Sequence, residues 1–429
     1  MLIQFSVENY RSILDRQTLS MAASNYFKEL HELNTFPADT TENLPRLLRS
    51  TVIYGPNASG KSTLVDALRF MRHMVINSAK ESQAGEEIDV VPYKLTPTSR
   101  NGDSEFEITL IEGGVRYQYG FRCNRQRVTE EWLYAYPDGR TQRWFQRAFN
   151  PNSGKDDYRF VSAFLGGRKR DDWKGQTRPN ALFLSTALQL NNEQFKPILA
   201  WFQKRLKVVN PFLGLFGRNY TINLCKDENK KRHILEFLNS ADLTIADIRI
   251  KSQPFTRETL PKGMPVNMQE EISHEMTGKE LANIKFLHED VETHELIEFD
   301  ENEESDGTRA LFGFAGPWLD VMENERVLVV DEIDTSLHPL IVHQLVKLFH
   351  QQSCKAQLIF TTHDTTLLSQ KILRRDQVWF MEKDGGKSAK LYPLSDFSPR
   401  ENEAIEKGYL NGRYGGIPFL KDLDFNGNG

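Results

Sequence analysis

The segment Gly55-Pro56-Asn57-Ala58-Ser59-Gly60-Lys61-Ser62 constrains this 429-residue chain more than any other. The apolar run Thr51-Val52-Ile53-Tyr54 precedes it. Residues 63–80 follow, with Leu64, Ala67, Leu68, Met71, Met74 and Val75 at helical spacing. The segment satisfies G-x-x-x-x-G-K-[ST] in strand–loop–helix order. Glycines there let backbone N–H groups wrap phosphates, and the helix N-terminus adds its dipole. Asn57, Ala58, Ser59, Gly60, Lys61, Ser62 and Thr63 are therefore the expected cradle for ATP. Lys61 reaches the β- and γ-phosphates and is expected to take part in catalysis, while the Ser62 hydroxyl ligates Mg²⁺.

The second signal is Val327-Leu328-Val329-Val330-Asp331-Glu332, which reads as a buried central strand ending in two carboxylates. Asp331 is placed to hold Mg²⁺ through its shell, as in a Walker B motif. Glu332 follows directly and is placed to polarise the attacking water. Two acids after a strand are common in isolation; beside a phosphate loop they become a pair of catalytic parts.

Composition narrows the class. Hydrophobic residues are 39% of the chain and aromatics 11%, enough for a packed core. At about 150 residues per domain the length predicts two or three lobes. No stretch approaches the roughly 18 apolar residues that span a bilayer. The opening MLIQFSVENYRS lacks the basic and apolar regions of a secretory signal. Cys123, Cys225 and Cys354 are far apart and odd in number, against a disulfide framework or a cysteine metal site. A cytoplasmic protein with no membrane partner is expected. The net charge of −5 excludes a generally basic nucleic-acid coat.

Along the chain, residues 2–8 and 51–54 read as strands, with a polar helix and loop over 24–46. Residues 104–148 alternate apolar and polar positions between the turn signals Glu112-Gly113-Gly114 and Pro137-Asp138-Gly139, which predicts an antiparallel meander. Helices are expected over 192–209 and 230–240, whereas 250–290 takes no clear assignment. Apolar runs at 326–330, 357–361 and 377–381, alternating with a helix over 339–350, predict a parallel sheet. No internal repeat and no sustained heptad pattern is present. Ten acidic residues and no basic one lie between His288 and Thr308, read as a solvated acidic face.

Three further pieces complete an order. Ile333-Asp334-Thr335-Ser336-Leu337-His338-Pro339 follows the two acids, and Gln357-Leu358-Ile359-Phe360-Thr361-Thr362-His363-Asp364 is a strand ending in histidine. Glu304-Ser305-Asp306-Gly307-Thr308-Arg309 leads into an apolar helix. This order resembles the ABC-type ATPase heads of the SMC, RecF and OLD group of AAA ATPases. Ser305-Asp306-Gly307 is similar to their signature motif, Asp334 to the D-loop aspartate and His363 to the switch histidine. Asn9-Tyr10-Arg11-Ser12 is similar to their N-F-[RK]-S opening, where Arg11 either approaches the nucleotide or is a surface arginine. The signature departs from transporter heads in having Asp306 after the serine. No Q-loop glutamine is placed among Gln118, Gln142 and Gln189.

The resemblance implies an α/β fold: a P-loop ABC-type head with a mixed sheet and an antiparallel β subdomain, plus a helical subdomain or insert and no long coiled coil. It implies residues 1–180 as the N-terminal half of the head, 181–295 as a helical lobe and 296–429 as the C-terminal half. It also implies head-to-tail pairing of two copies, or an assembly of such dimers. Each ATP would then touch Lys61 and Ser62 of one copy and Ser305 and Gly307 of the other, with Asp334 and His363 nearby.

The 264 residues over 63–326 hold no coiled coil, which separates the chain from SMC proteins proper. Only 66 residues follow His363, too few for the roughly 100 residues of an OLD-type TOPRIM nuclease. The ending resembles ATPases of phage-defence operons, the AbiL/RloA type and the PARIS-system ATPase. That resemblance implies a sensor and scaffold that controls an effector protein encoded nearby, a nuclease or toxin. The alternative is a RecF-like DNA-binding ATPase of repair or recombination; a transporter subunit fits the signature poorly. Residues 142–178 hold nine Lys or Arg against four Asp, interleaved with aromatics. That stretch reads as a solvated surface around core aromatics, a protein interface, or a nucleic-acid contact.

Overall fold

The computed structural model describes residues 1–40, 43–209, 215–241, 243–254, 280–335, 337–369, 371–401 and 403–418. The chain divides into two compact units: Met1–Asn210 with Val321–Asp334 and Val342–Gly429, and Pro211–Asp320 with Thr335–Ile341. The breaks near 210 and 320 differ from the expected 180 and 295. The strand Leu206–Val209 belongs to a sheet of the first unit, and Leu296–Asp300 to a sheet of the second.

The first unit holds two large sheets. One has six strands in the order Leu206–Val209, Val327–Val330, Gln357–Thr361, Ser50–Tyr54, Val378–Lys383, Ala389–Pro393. The first five are parallel and the last is antiparallel. Its three central strands are buried at every residue. This is why they read as unbroken apolar runs rather than as alternation. Val330 pairs with Phe360, and Thr361 with Ile53. Asp331, His363 and Gly55 therefore leave the sheet together at its carboxyl edge, where open α/β sheets place ligands.

The other sheet has seven antiparallel strands, and it contains the expected meander as Ser104–Glu112, Val115–Cys123, Val128–Tyr136 and Gln142–Asn150. Lys155–Phe160 extends one side; Leu2–Glu8 and Gln17–Ser20 extend the other. The helix Lys61–Asn77 buries Leu64, Val65, Leu68, Met71 and Val75. These join Phe5, Phe106, Ile108 and Phe121 of the antiparallel sheet and Ile53, Val329 and Ile359 of the parallel one in a single core.

The second unit contains the helices Leu215–Leu224 and Glu228–Ser240, most of Asp306–Glu323, and a three-stranded antiparallel sheet of Asp247–Pro254, Glu280–Glu289 and Leu296–Asp300. The lobe expected to be helical is thus part sheet. Residues 255–279, the middle of the unassigned stretch, lie outside the described residues. Two helices approach closely through glycine: a Cβ on Gly217 would stand 2.3 Å from the Gly313 carbonyl oxygen, and one on Gly316 would stand 2.5 Å from Thr221 Oγ1.

Other expectations shift locally. The helix read over 192–209 is a helix at Lys196–Ala200, a π-turn at Trp201–Arg205 and then the strand Leu206–Val209. Val208 and Val209 favour extended backbone, and parallel pairing with Val329 and Val330 fixes it. Over 24–46 the structure has a one-turn helix at His31–Asn34 and the two-residue strand Thr35–Phe36. In the basic stretch the aromatics Trp144, Phe145, Phe164 and Trp173 are buried, as is Arg147. Arg147 donates to Asp156 Oδ2 at 2.8 Å and to the Ala181 carbonyl at 2.7 Å. These rings fill the core instead of forming a stacking platform, while Lys155, Arg159, Arg168 and Lys169 stay at the surface. Among the described residues the longest helix has 18 residues, and none is long and apolar enough to cross a membrane.

Candidate nucleotide site

The phosphate loop is set by close approach. A Cβ on Gly55 would lie 2.1 Å from the Met381 carbonyl oxygen, so only glycine lets the loop turn against the neighbouring strand. Gly60 takes φ +116°, and a Cβ there would meet Ala389 Cβ at 2.6 Å. Asn57 and Ala58 are exposed at the loop tip, and Ala58 itself is left-handed at φ +61°. Ser59 is buried, and its Oγ has no hydrogen-bond partner among the described residues. Ser62 is exposed and Thr63 half-buried on the first turn of the helix.

Lys61 is buried, and its Nζ donates to the carbonyls of Gly55 at 2.7 Å and Pro56 at 3.2 Å. Burial lowers its pKa from the ordinary value, against an upward pull from Glu332, Asp331 and Asp334. The ammonium is thus held inside its own loop by neutral carbonyls, which a phosphate can replace.

The acid pair is organised by a residue that sequence reasoning did not single out. Thr361 is fully buried at the end of its strand. Its Oγ1 donates to Asp331 Oδ1 at 2.7 Å and accepts from the Glu332 backbone N–H at 2.7 Å. Glu332 sits at φ +54°, an uncommon conformation for a side-chain-bearing residue. The signal was a hydroxyl closing the otherwise apolar run Leu358-Ile359-Phe360.

The histidine strand supplies the next neighbour. The His363 backbone N–H donates to Asp334 Oδ2 at 3.2 Å, and Asp334 Oδ1 is buried with no hydrogen-bond partner among the described residues. Partial burial and then the Lys61 charge lower the His363 pKa, against the three nearby carboxylates. A cavity of about 560 Å³ is lined by Gly55 to Ser59, His363 and Thr365, by Glu382 and Lys383, and by Tyr409, Leu410, Ile417 and Pro418. The contribution from residues 409–418 was not expected from sequence.

Arg11 leaves the first strand at φ +49° and ion-pairs with Asp66 on the phosphate-loop helix. Beside it, Ser12 Oγ donates to Thr63 Oγ1 at 2.9 Å, so the Asn9–Ser12 turn rests on the start of that helix. In the second unit, Ser305 is exposed just before the helix Asp306–Glu323, with Gly307 in its first turn. Ser305 Oγ accepts from the Thr308 backbone N–H at 3.0 Å, which caps the helix. Of the unplaced glutamines, Gln118 donates to Glu107 and Gln142 accepts from Trp144, both on the antiparallel sheet.

Two solved structures illustrate what this chain is similar to. The SMC head domain from Thermotoga maritima shares 13% identity over 91% of this chain and 98% of that chain, at a TM-score of 0.41. The SmcHead bound to the C-winged helix domain of ScpA shares 12% over 92% and 99%, at 0.45. No curated protein matches the chain. A family model does: residues 50–369 match "AAA domain, putative AbiEii toxin, Type IV TA system". That match opens on the phosphate-loop strand and closes just past the histidine, enclosing the phosphate loop, the two acids and His363; by it the chain belongs to this AAA-domain family.

Proposed function

We propose that this chain is an ABC-type ATPase that pairs around ATP and acts as a sensor and scaffold in antiphage defence, controlling a partner nuclease or toxin. The observation that carries the ATPase reading is the Thr361 bridge, which holds Asp331 and the Glu332 backbone in one rigid unit beside the phosphate loop. Lys61 would leave its loop carbonyls for the β- and γ-phosphates. The hard oxygens of Ser62 and Asp331 fit Mg²⁺, which takes one or two protein oxygens and completes its shell with phosphates and water. When bound, the ion neutralises charge on the phosphates. Glu332 would orient the attacking water, and His363, steadied through Asp334, would meet the γ-phosphate. Ser305 and Gly307 of a second copy would close the site with the N-terminus of their helix.

The defence role rests on the resemblance of the ending to phage-defence ATPases and on the family description, which names a toxin and a toxin–antitoxin system. The test is native mass on the Glu332→Gln chain, purified from its own operon with ATP and Mg²⁺. An even multiple of 49.6 kDa plus a second polypeptide is expected. A bare ATP-dependent dimer, or one carrying only DNA, moves the reading to a RecF-like DNA-binding ATPase. A monomer with and without ATP refutes pairing altogether.

A further inference from the structure

We infer that residues 405–418 are a positioning element of the hydrolysis site, acting through Glu406 on the backbone that carries His363. The inference rests on the ATPase reading above. Thr365 Oγ1 donates to Glu406 Oε1 at 3.1 Å, joining the short helix Ile405–Leu410 to the turn that follows His363. That turn, Thr365–Leu368, is itself capped by Asp364. Moving Glu406 therefore moves the peptide next to the histidine.

The element is firmly seated. Tyr409 is buried, 5.7 Å from the ring of Tyr54 and 5.1 Å from that of Phe380, the latter near-parallel at 16°. Tyr54 is the residue immediately before the phosphate loop. Tyr409 Oη donates to the Gly416 carbonyl at 2.7 Å, and the Gly416 N–H donates to Glu382 Oε2 at 2.7 Å. Tyr392 Oη donates to the Tyr414 carbonyl at 2.9 Å. Gly415 takes φ +67°, where a Cβ would stand 2.4 Å from Tyr392 Oη. The element thus grips the sheet, and Tyr409, Leu410, Ile417 and Pro418 line the cavity beside the phosphate loop.

Behind this contact, Tyr54 Oη and Asp364 Oδ2 are buried with no hydrogen-bond partner among the described residues.

The experiment compares Glu406→Ala, Thr365→Val and Glu406→Gln by ATP turnover, fluorescent ATP-analogue affinity and melting temperature. The first two should lose about ten- to a hundredfold in kcat, the penalty of a small misplacement. Nucleotide affinity should stay within about threefold and melting within a few degrees. Glu406→Gln keeps an acceptor oxygen for Thr365 and should recover most of the rate. Wild-type turnover in both Glu406→Ala and Thr365→Val overturns the inference. So does a Gln variant as slow as Ala, or a rate loss that tracks melting. A wild-type chain without any ATP turnover removes the ATPase reading itself, and this inference with it.

Discussion

Replacing Thr361 by valine tests the acid pair with almost no change of shape. The side chain is fully buried, and its hydroxyl makes two bonds of 2.7 Å, one to the Asp331 carboxylate and one from the Glu332 N–H. A hydrogen bond to a charged acceptor contributes about 1.5–3 kcal/mol net, and a buried N–H left alone costs about 1–3 kcal/mol. The two share one atom and do not add fully, so Thr361→Val should lose about 2–4 kcal/mol. It also releases the peptide that holds Glu332 at φ +54°, a conformation costing roughly 1–2 kcal/mol. Turnover should then fall about a hundredfold with ATP affinity little changed. Urea unfolding and steady-state ATPase assays read both effects. Thr361→Ser keeps the hydroxyl and should restore most of the rate. A valine variant as stable and as fast as wild type would refute the claim that this hydroxyl sets the acids.

Lys61→Ala removes the one ammonium seated in the phosphate loop and should abolish productive ATP binding; retained turnover would reject the loop as the site. Ser305→Arg should keep ATP binding but lose dimer-dependent hydrolysis, and an unchanged rate at high protein concentration would reject a trans-acting signature. Acid stability should depend on His350. Burial, with the Arg49 charge second, pushes its pKa down to about 3, while in the unfolded chain it titrates near 6.5. The unfolded state binds the extra proton in that window, so stability is lost as pH falls below about 6.5, by roughly 2 kcal/mol at pH 5. His350→Gln should flatten that slope in urea-midpoint measurements, and an equally steep slope would exclude this histidine.

Local chemistry made much of the site legible. The phosphate loop needs contiguous residues, so Gly55 to Thr63 could be read from their own spacing, and the helix Lys61–Asn77 begins two residues before the expected start. The meander over 104–148 was legible because alternation and turn residues are local signals. The strand Leu206–Val209 was not. Four residues carry too little pattern, and the partner that makes them a strand lies 121 positions away, Val327 beside Leu206. The basic stretch left three readings open for a related reason: whether Arg147 faces water or Asp156 depends on sheet pairing, not composition.

The amino-acid sequence by itself determined which segments are candidates for the site, because a phosphate loop, a pair of acids and a terminal histidine are each written in a few adjacent residues. Tertiary structure alone decided how those pieces meet. Parallel pairing of Val327–Val330, Gln357–Thr361 and Ser50–Tyr54 brings three distant segments to one sheet edge. That same pairing turns Thr361 from the last residue of a strand into the bridge between two acids. The fold also carries residues 405–418 back to the cavity beside the phosphate loop, with Glu406 bonded to Thr365, a contact no local pattern encodes. Such contacts are non-local: their energy appears only after the chain between them has been ordered, so no window of sequence contains them.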